Sequence, residues 1–130
     1  LERMPGVCGV KIFMGASTGD LLVEDDAGVR DVLLNGFRRV AIHSEDEFIL
    51  RENKRLAREG DWTSHPEVRS VETAVSSTRR LIALARETRR RIHVLHVTTA
   101  EEVPILAAAK DIATAEVTPQ HLTLEAPDCY

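Results

Sequence analysis

The 130-residue chain is poor in cysteine and has no excess of positive charge, and both shortages exclude classes of protein. Its two cysteines, Cys8 and Cys129, lie near opposite ends, without the spacing of a zinc knuckle or a disulfide framework. Lysine and arginine together number 17 against 21 aspartates and glutamates, so the formal net charge is −4. That balance gives no electrostatic reason to expect a nucleic acid or an anionic membrane surface as partner.

Long apolar segments are also absent. No run approaches the roughly 18 residues that a membrane helix needs, and no signal-peptide pattern is present, so we expect a cytoplasmic protein without a membrane partner. Apolar residues still make up 43% of the chain, which is enough for a hydrophobic core. The length suits one domain, but the chain begins at Leu1 rather than methionine and stops abruptly at Tyr130. We therefore expect residues 1–130 to be part of a longer catalytic domain.

Hydrophobic periodicity predicts short strands that alternate with helices. Residues 60–69 (GDWTSHPEVR) are predicted to form a loop. Ser44 with Glu47, and Thr99 with Glu102, have the spacing of capping boxes that open helices. The strands are expected at about 7–14, 39–43, 92–97 and 112–117, and the helices at about 24–34, 47–59, 71–90 and 101–110.

This order of elements predicts an α/β fold with parallel strands joined by helical crossovers. Both a doubly wound sheet and a (β/α)8 barrel of the TIM type have that order. The barrel needs about 200 to 250 residues, so this chain would supply only its central part, about strands 4 to 7.

Three residues with reactive or ligating side chains are predicted to lie near the carboxyl ends of strands. Lys11 lies late in the first predicted strand, His43 ends the second, and His96 is near the end of the third. Functional side chains of parallel α/β folds gather at that edge, so the three could converge. Strand alternation puts His96 on the face of Val94 and turns His93 the opposite way, between strand and helix.

Each of these residues also has a simpler interpretation. A histidine at the end of a strand is often only hydrogen-bonded to a neighbouring loop. A lysine inside an apolar strand is harder to explain, because a buried ammonium must pair, lose its proton or react. Residues 15–19 (GASTG) match the G-x-S-x-G pattern of serine hydrolases, but no helix is predicted to start directly after Ser17, as that motif requires.

Four blocks of the sequence resemble consecutive motifs of dihydroorotases, which are cyclic amidohydrolases of the metal-dependent amidohydrolase superfamily. The blocks are residues 9–15 (GVKIFMG), 40–46 (VAIHSED), 93–99 (HVLHVTT) and 116–122 (EVTPQHL). The resemblance extends over nearly the whole chain. Any one block is weak, but four in order at plausible spacings are specific.

The resemblance implies a site with two zinc ions. Lys11 matches the lysine that is carbamylated and bridges the two metals, and His43 and His96 match the two histidines that ligate the second metal. Glu116 matches a glutamate that supports an extra metal in some dihydroorotases, or else acts as a carboxylate that hydrogen-bonds a ligand. The metal-ligating residues expected from the resemblance are therefore Lys11, His43, His96 and Glu116.

The sequence departs from the family pattern in two ways. The His-x-His pair of the first barrel strand and the aspartate of the eighth are not within these residues, so the general base is expected outside the chain. Residues 119–122 read Pro-Gln-His-Leu where the family has Pro-His-His-Leu. We therefore expect the isolated chain to be inactive and to contain no catalytic residue of its own.

The resemblance implies the interconversion of dihydroorotate and N-carbamoyl-L-aspartate in pyrimidine biosynthesis. Allantoinases and dihydropyrimidinases share the lysine and both histidines, so they remain alternatives. A different alternative is an inactive dihydroorotase-like subunit that is a structural partner of aspartate transcarbamoylase. The expected partners are a small cyclic amide and other copies of the chain, because a partial barrel leaves sheet edges exposed.

Overall fold

The computed structural model describes residues 1–16 and 19–129, and four short strands form one sheet. The strands are β1 (Lys11–Phe13), β2 (Val40–His43), β3 (Ile92–Val94) and β4 (Ala113–Ala115). The α-helices are α1 (Asp26–Leu34), α2 (Glu47–Asn53), α3 (His65–Val68), α4 (Val71–Thr88), α5 (Glu102–Ala107) and α6 (Pro119–Thr123). Two 3₁₀ turns, Lys54–Leu56 and Trp62–Ser64, lie between α2 and α3. None of the helices in the described ranges is long and apolar enough to cross a membrane.

The strand order distinguishes between the two predicted architectures. All neighbouring strands are parallel, and the order across the sheet is β1-β2-β3-β4. A doubly wound sheet reverses its strand order at a switch point, whereas each strand of a barrel pairs with the next strand along the chain. The observed order is that of a barrel.

One face of the sheet carries the hydrophobic core. Ile12, Ile42 and Val94 lie in register across β1, β2 and β3 and are buried beneath the helices. Helices α1 and α4 pack against each other and contribute most of the helical side chains of this core. The opposite face is polar and is not covered by any of the described residues; it carries Lys11, Ala41, His93 and Thr114, aligned in register.

The start of α2 differs from the prediction. Asp46, not Ser44, is the N-cap, and its carboxylate accepts hydrogen bonds from the backbone N–H groups of Phe48 (3.1 Å) and Ile49 (3.3 Å). The predicted capping box of Ser44 and Glu47 is therefore wrong. Asp46 lies next to the first helical residue and so satisfies the free N–H groups of the first turn.

The predicted loop at residues 60–69 contains helical turns. The carboxylate of Asp61 accepts from the backbone N–H of Thr63 at 3.0 Å and starts the turn Trp62–Ser64. Pro66 then occupies the first turn of α3. Backbone N–H groups of a first turn have no acceptor within the helix, so the lack of an N–H in proline costs no hydrogen bond there. The prediction was wrong because the glycine, aspartate and proline that indicate a loop also begin short helices.

A buried ion pair closes the amino-terminal edge of the sheet. Glu2 Oε1 lies 2.5 Å from Arg90 Nη2, and Glu2 Oε2 accepts from the backbone N–H groups of Phe37 (2.6 Å) and Arg38 (3.0 Å). These backbone hydrogen bonds lower the pKa of Glu2, as does the charge of Arg90. A Cβ on Gly36 would lie 2.4 Å from Arg90 Nη2 and 2.7 Å from Glu2 Oε2, so a larger residue there would displace the ends of these two side chains.

The one-sided core predicts unequal effects for two leucines on helices. Leu81 is 0% exposed in α4, whereas Leu34 is 59% exposed at the end of α1. We expect Leu81→Ala to lower the free energy of unfolding by about 2–5 kcal/mol, because it leaves a cavity under the sheet. Leu34→Ala should cost less than about 1 kcal/mol. Urea unfolding of the two variants measures the difference, and equal losses would contradict the described core.

Candidate functional site

Two histidines meet at the carboxyl edge of the sheet. His43 ends β2, His96 follows β3, and His43 Nδ1 lies 3.1 Å from His96 Nε2. The ring centroids are 4.9 Å apart, with the planes at 61°. Two nitrogen ligands of one tetrahedral zinc ion, each about 2.0–2.1 Å from the metal, lie about 3.3 Å apart. The two nitrogens therefore have the spacing of ligands to a single metal ion.

His96 reaches this position through a local break in strand alternation. Glu116 donates its backbone N–H to the carbonyl of Val94 (3.1 Å) and accepts from the N–H of Val97 (2.8 Å). Val94 and Val97 both lie in the core, so two residues stand between them where regular alternation allows one. His96 takes up the extra residue with φ of 36°, in the left-handed region, as in a β-bulge.

This break makes the predicted facing of β3 wrong. His93 lies on the same face as Lys11 and Ala41, not between strand and helix, and Ile92 and Val94 take the helix side. The His93 ring bonds to Thr114 through Nδ1 (2.8 Å). The prediction extended one strand to residue 97, whereas the regular strand ends at Val94.

Glu45 and Arg69 were missed in the sequence and lie directly behind His43. Glu45 Oε2 is 3.2 Å from His43 Nε2, and Arg69 Nε donates to Glu45 Oε1 at 2.8 Å. Burial by itself raises the pKa of Glu45, but hydrogen bonds from His43 and Arg69 outweigh it, so the pKa lies below its ordinary value. The available signal was a carboxylate two residues after a strand-end histidine.

The environment of His96 favours the neutral imidazole. Burial lowers its pKa most, and the charges of His43 and then Lys11 lower it further, against a backbone hydrogen bond that raises it. A neutral ring offers a lone pair to a metal ion, which an imidazolium does not.

Lys11 is the first residue of β1 and is exposed on the polar face. The expectation of a buried lysine late in its strand is wrong for the described residues, because nothing among them covers that face. Its Nζ lies 4.3 Å from the centre of the Phe13 ring, and that ring is 6.1 Å from the ring of His43. Phe13 therefore contacts both the lysine and the histidine.

Glu116 follows β4 and is engaged by His93, whose Nε2 lies 3.2 Å from Glu116 Oε2. The hydrogen bond from His93 is the main reason that the pKa of Glu116 is lowered, and the backbone N–H of His96 adds to it. Within residues 1–16 and 19–129, no three His, Cys, Asp or Glu side chains form a group that could hold a metal ion. The chain itself thus brings two imidazole nitrogens together.

The donor set fits a zinc ion in part. The facing nitrogens of His43 and His96 have ligand spacing, and neutral imidazole is a ligand that zinc prefers. Lys11 could add a ligand on the same face only as a carboxylate formed at its amine. Four-coordinate zinc would need the remaining ligands from elsewhere.

A chain of hydroxyl groups, of which Ser77 and Thr78 are fully buried, lies beneath the two histidine loops. Ser44 Oγ is 3.0 Å from both Ser77 Oγ and Thr78 Oγ1 of α4. Thr78 donates to Glu102 Oε1 (2.7 Å), and Thr99 donates to Glu102 Oε2 (2.9 Å). Thr99 and Glu102 are thus bonded through their side chains, but the N-cap of α5 is Glu101, so the predicted capping box is wrong. The network connects the loop after His43 with the loop after His96.

The serine of the G-x-S-x-G pattern, Ser17, lies outside the described residues. In the segment that follows it, Gly19 onward, the first helix begins only at Asp26. A nucleophile elbow requires a helix directly after the serine, so this segment does not have that geometry.

No family model matches the chain. The chain is 38% identical over 90 residues to the dihydroorotase of Carboxydothermus hydrogenoformans, covering 65% of this chain and 20% of that protein. It is 30% identical over 132 residues to the dihydroorotase of Methanosarcina acetivorans, covering 91% of this chain and 28% of that protein. The chain therefore spans between a fifth and three-tenths of the length of these curated relatives.

The fold resembles that of solved cyclic amide hydrolases of the hydantoinase and dihydropyrimidinase type. A D-hydantoinase from Bacillus sp. AR9 superposes with a TM-score of 0.82 at 27% identity, covering 92% of this chain and 28% of that one. A dihydropyrimidinase from Brevibacillus agri gives a TM-score of 0.83 at 27% identity, covering 95% of this chain and 28% of that one. The resemblance to dihydroorotases and the predicted part-barrel fold are both confirmed.

The low pKa of His96 predicts a pH dependence in the metal-free protein. His96 should titrate below its ordinary value of about 6.5. Between the two values the folded state binds fewer protons than the unfolded state, so stability rises with pH there and falls on acidification. His43→Gln should raise the pKa of His96 more than Lys11→Met does. NMR titration of the ring protons measures both, and a His96 pKa above 6.5 would contradict the described site.

Proposed function

Because the chain is related to one segment of dihydroorotases, D-hydantoinases and dihydropyrimidinases, we propose that it is part of a zinc-dependent cyclic amide hydrolase. The reaction that we propose is the interconversion of dihydroorotate and N-carbamoyl-L-aspartate. One observation carries the proposal: His43 Nδ1 and His96 Nε2 face each other at 3.1 Å on the carboxyl edge of a barrel-type sheet. Curated relatives that are named dihydroorotase, at up to 38% identity, support this substrate.

In this proposal the two histidines hold one zinc ion through neutral ring nitrogens, His43 through Nδ1 and His96 through Nε2. Lys11 reacts through its uncharged amine with carbon dioxide: the nitrogen bonds to the carbon, one proton leaves, and a carbamate with two oxygen ligands results. When bound, the metal supplies polarisation of the amide carbonyl and a lower pKa for water. Glu116 either adds a ligand or keeps its bond to His93 and so orients that ring.

The general base and the other metal ligands are proposed to come from segments outside these residues. A general base must lie within hydrogen-bond reach of the proton that it removes, and the resemblance provides none here. Residues 1–130 alone should therefore show no turnover.

A dihydropyrimidinase or hydantoinase reaction is the second candidate. It is favoured by the solved structures, which superpose at TM-scores of 0.82 and 0.83 and carry these names. Both candidates hydrolyse a ring amide, so the polar face of the sheet would serve either. They differ in the group that the substrate presents, since dihydroorotate carries a carboxylate that dihydrouracil and hydantoin lack.

The experiment is a substrate comparison with the purified protein that contains this chain. We expect zinc-dependent hydrolysis of dihydroorotate to N-carbamoyl-L-aspartate. Its kcat/KM should be at least about tenfold higher than the kcat/KM for dihydrouracil or hydantoin. Removal of zinc with a chelator should abolish the activity, and added zinc should restore it. Preference for dihydrouracil would favour the second candidate, and turnover without metal would contradict both.

Lys11 is the second test of the proposed function. Lys11→Ala should reduce kcat/KM at least about a hundredfold because the carbamate ligand is lost. Added short carboxylic acids should restore part of the activity. Lys110→Ala, which removes an exposed lysine after α5, is the matched control and should remain active. A fully active Lys11→Ala variant without added acid would contradict the assignment.

A further inference from the structure

We propose that Glu45 and Arg69 are a positioning pair that holds the His43 ring in one tautomer, with its proton on Nε2 and its Nδ1 unprotonated and directed at His96. The proposal rests on the proposed function, since the unprotonated Nδ1 is the atom that would bind the metal. Neither residue would touch substrate or metal. Glu45 acts through His43, and Arg69 acts through Glu45.

The contacts of the His43 ring determine where its proton lies. Nε2 faces Glu45 Oε2 at 3.2 Å, and Nδ1 faces His96 Nε2 at 3.1 Å. An ionised carboxylate only accepts hydrogen bonds, so the nitrogen opposite it carries the proton. A neutral imidazole has a single N–H, so the tautomer with its proton on Nε2 leaves on Nδ1 a lone pair that accepts a hydrogen bond from His96 Nε2.

Arg69 holds the Glu45 carboxylate in the orientation that the contact with His43 requires. Its Nε donates to Glu45 Oε1 at 2.8 Å, and its Nη2 contacts Glu45 Oε2. The Glu45 side chain is 8% exposed, and these two contacts from one guanidinium fix the carboxylate so that Oε2 stays directed at the His43 ring. Arg69 directly follows α3. The segment between α2 and α4 therefore influences His43 only through the carboxylate of Glu45 in the described contacts.

A neighbouring pair provides a matched comparison. Glu47 is also buried and bonded to an arginine, with Oε1 at 3.2 Å from Arg51 Nε and Oε2 accepting from the backbone N–H of Ala16 at 3.0 Å. It lies two residues from Glu45, but no described contact joins it to His43. Removing its charge therefore tests the cost of losing a buried ion pair without acting on the ring.

The experiment compares Glu45→Gln with Glu47→Gln in the purified, metal-free protein labelled with ¹⁵N in histidine. The wild type and Glu47→Gln should show His43 with the proton on Nε2. In Glu45→Gln the amide can donate as well as accept, so both tautomers should be populated. Zinc added alone should bind about 10- to 100-fold more weakly to Glu45→Gln, the usual effect of losing such a partner, and less than threefold more weakly to Glu47→Gln.

A second pair of variants tests the same inference if the Glu45→Gln variant fails to fold. Arg69→Ala should shift the His43 tautomers in the same direction as Glu45→Gln, and Arg51→Ala should not. An unchanged His43 spectrum in both Glu45→Gln and Arg69→Ala would overturn the inference. If no variant and no wild type binds zinc, the proposed function fails, and the ring spectra still decide whether Glu45 and Arg69 position His43.

Discussion

Burial of a single face of the sheet is the constraint on which the rest of the structure depends. Ile12, Ile42 and Ile92 are held under the helices, and the period of two along each strand then sends their neighbours to the opposite face. That face is polar because the helices leave it bare. Lys11 and His43 thus share a surface as a consequence of where the apolar residues lie, whereas His96 reaches the same edge through the backbone break after Val94.

The order of strands and helices was predictable from the sequence because hydrophobic periodicity reports burial directly. Element boundaries were less so: the strands have three or four residues where longer ones were expected, since pairing ends where the chain turns toward the next helix. Residues 60–69 show the limit of composition, because Asp61 and Pro66 begin helical turns as readily as they form loops. Asp46, not the predicted Ser44, is the N-cap of α2 because it directly precedes the first helical residue.

The site was predictable where it followed from topology. Lys11, His43 and His96 could be located near strand ends from the sequence, and the structure brings the two histidines together. His93 was assigned to the wrong face, because a backbone break between Val94 and Val97 leaves no mark in the pattern of apolar residues. The role of Arg69 could not be predicted at all, since it is 24 residues from Glu45 and only the folded chain joins them.

The hydroxyl network beneath the histidines links the spacing of the two rings to residues of α4 that do not contact them. Ser77 and Thr78 belong to α4, behind the sheet, yet through Ser44 and Glu102 they connect with the loops that carry both rings. Exchanges between serine, threonine and alanine change such a network by one oxygen or one methyl group while the helix and its core remain. Mutations on α4, a helix that carries neither ring, can therefore adjust the distance between the two imidazoles.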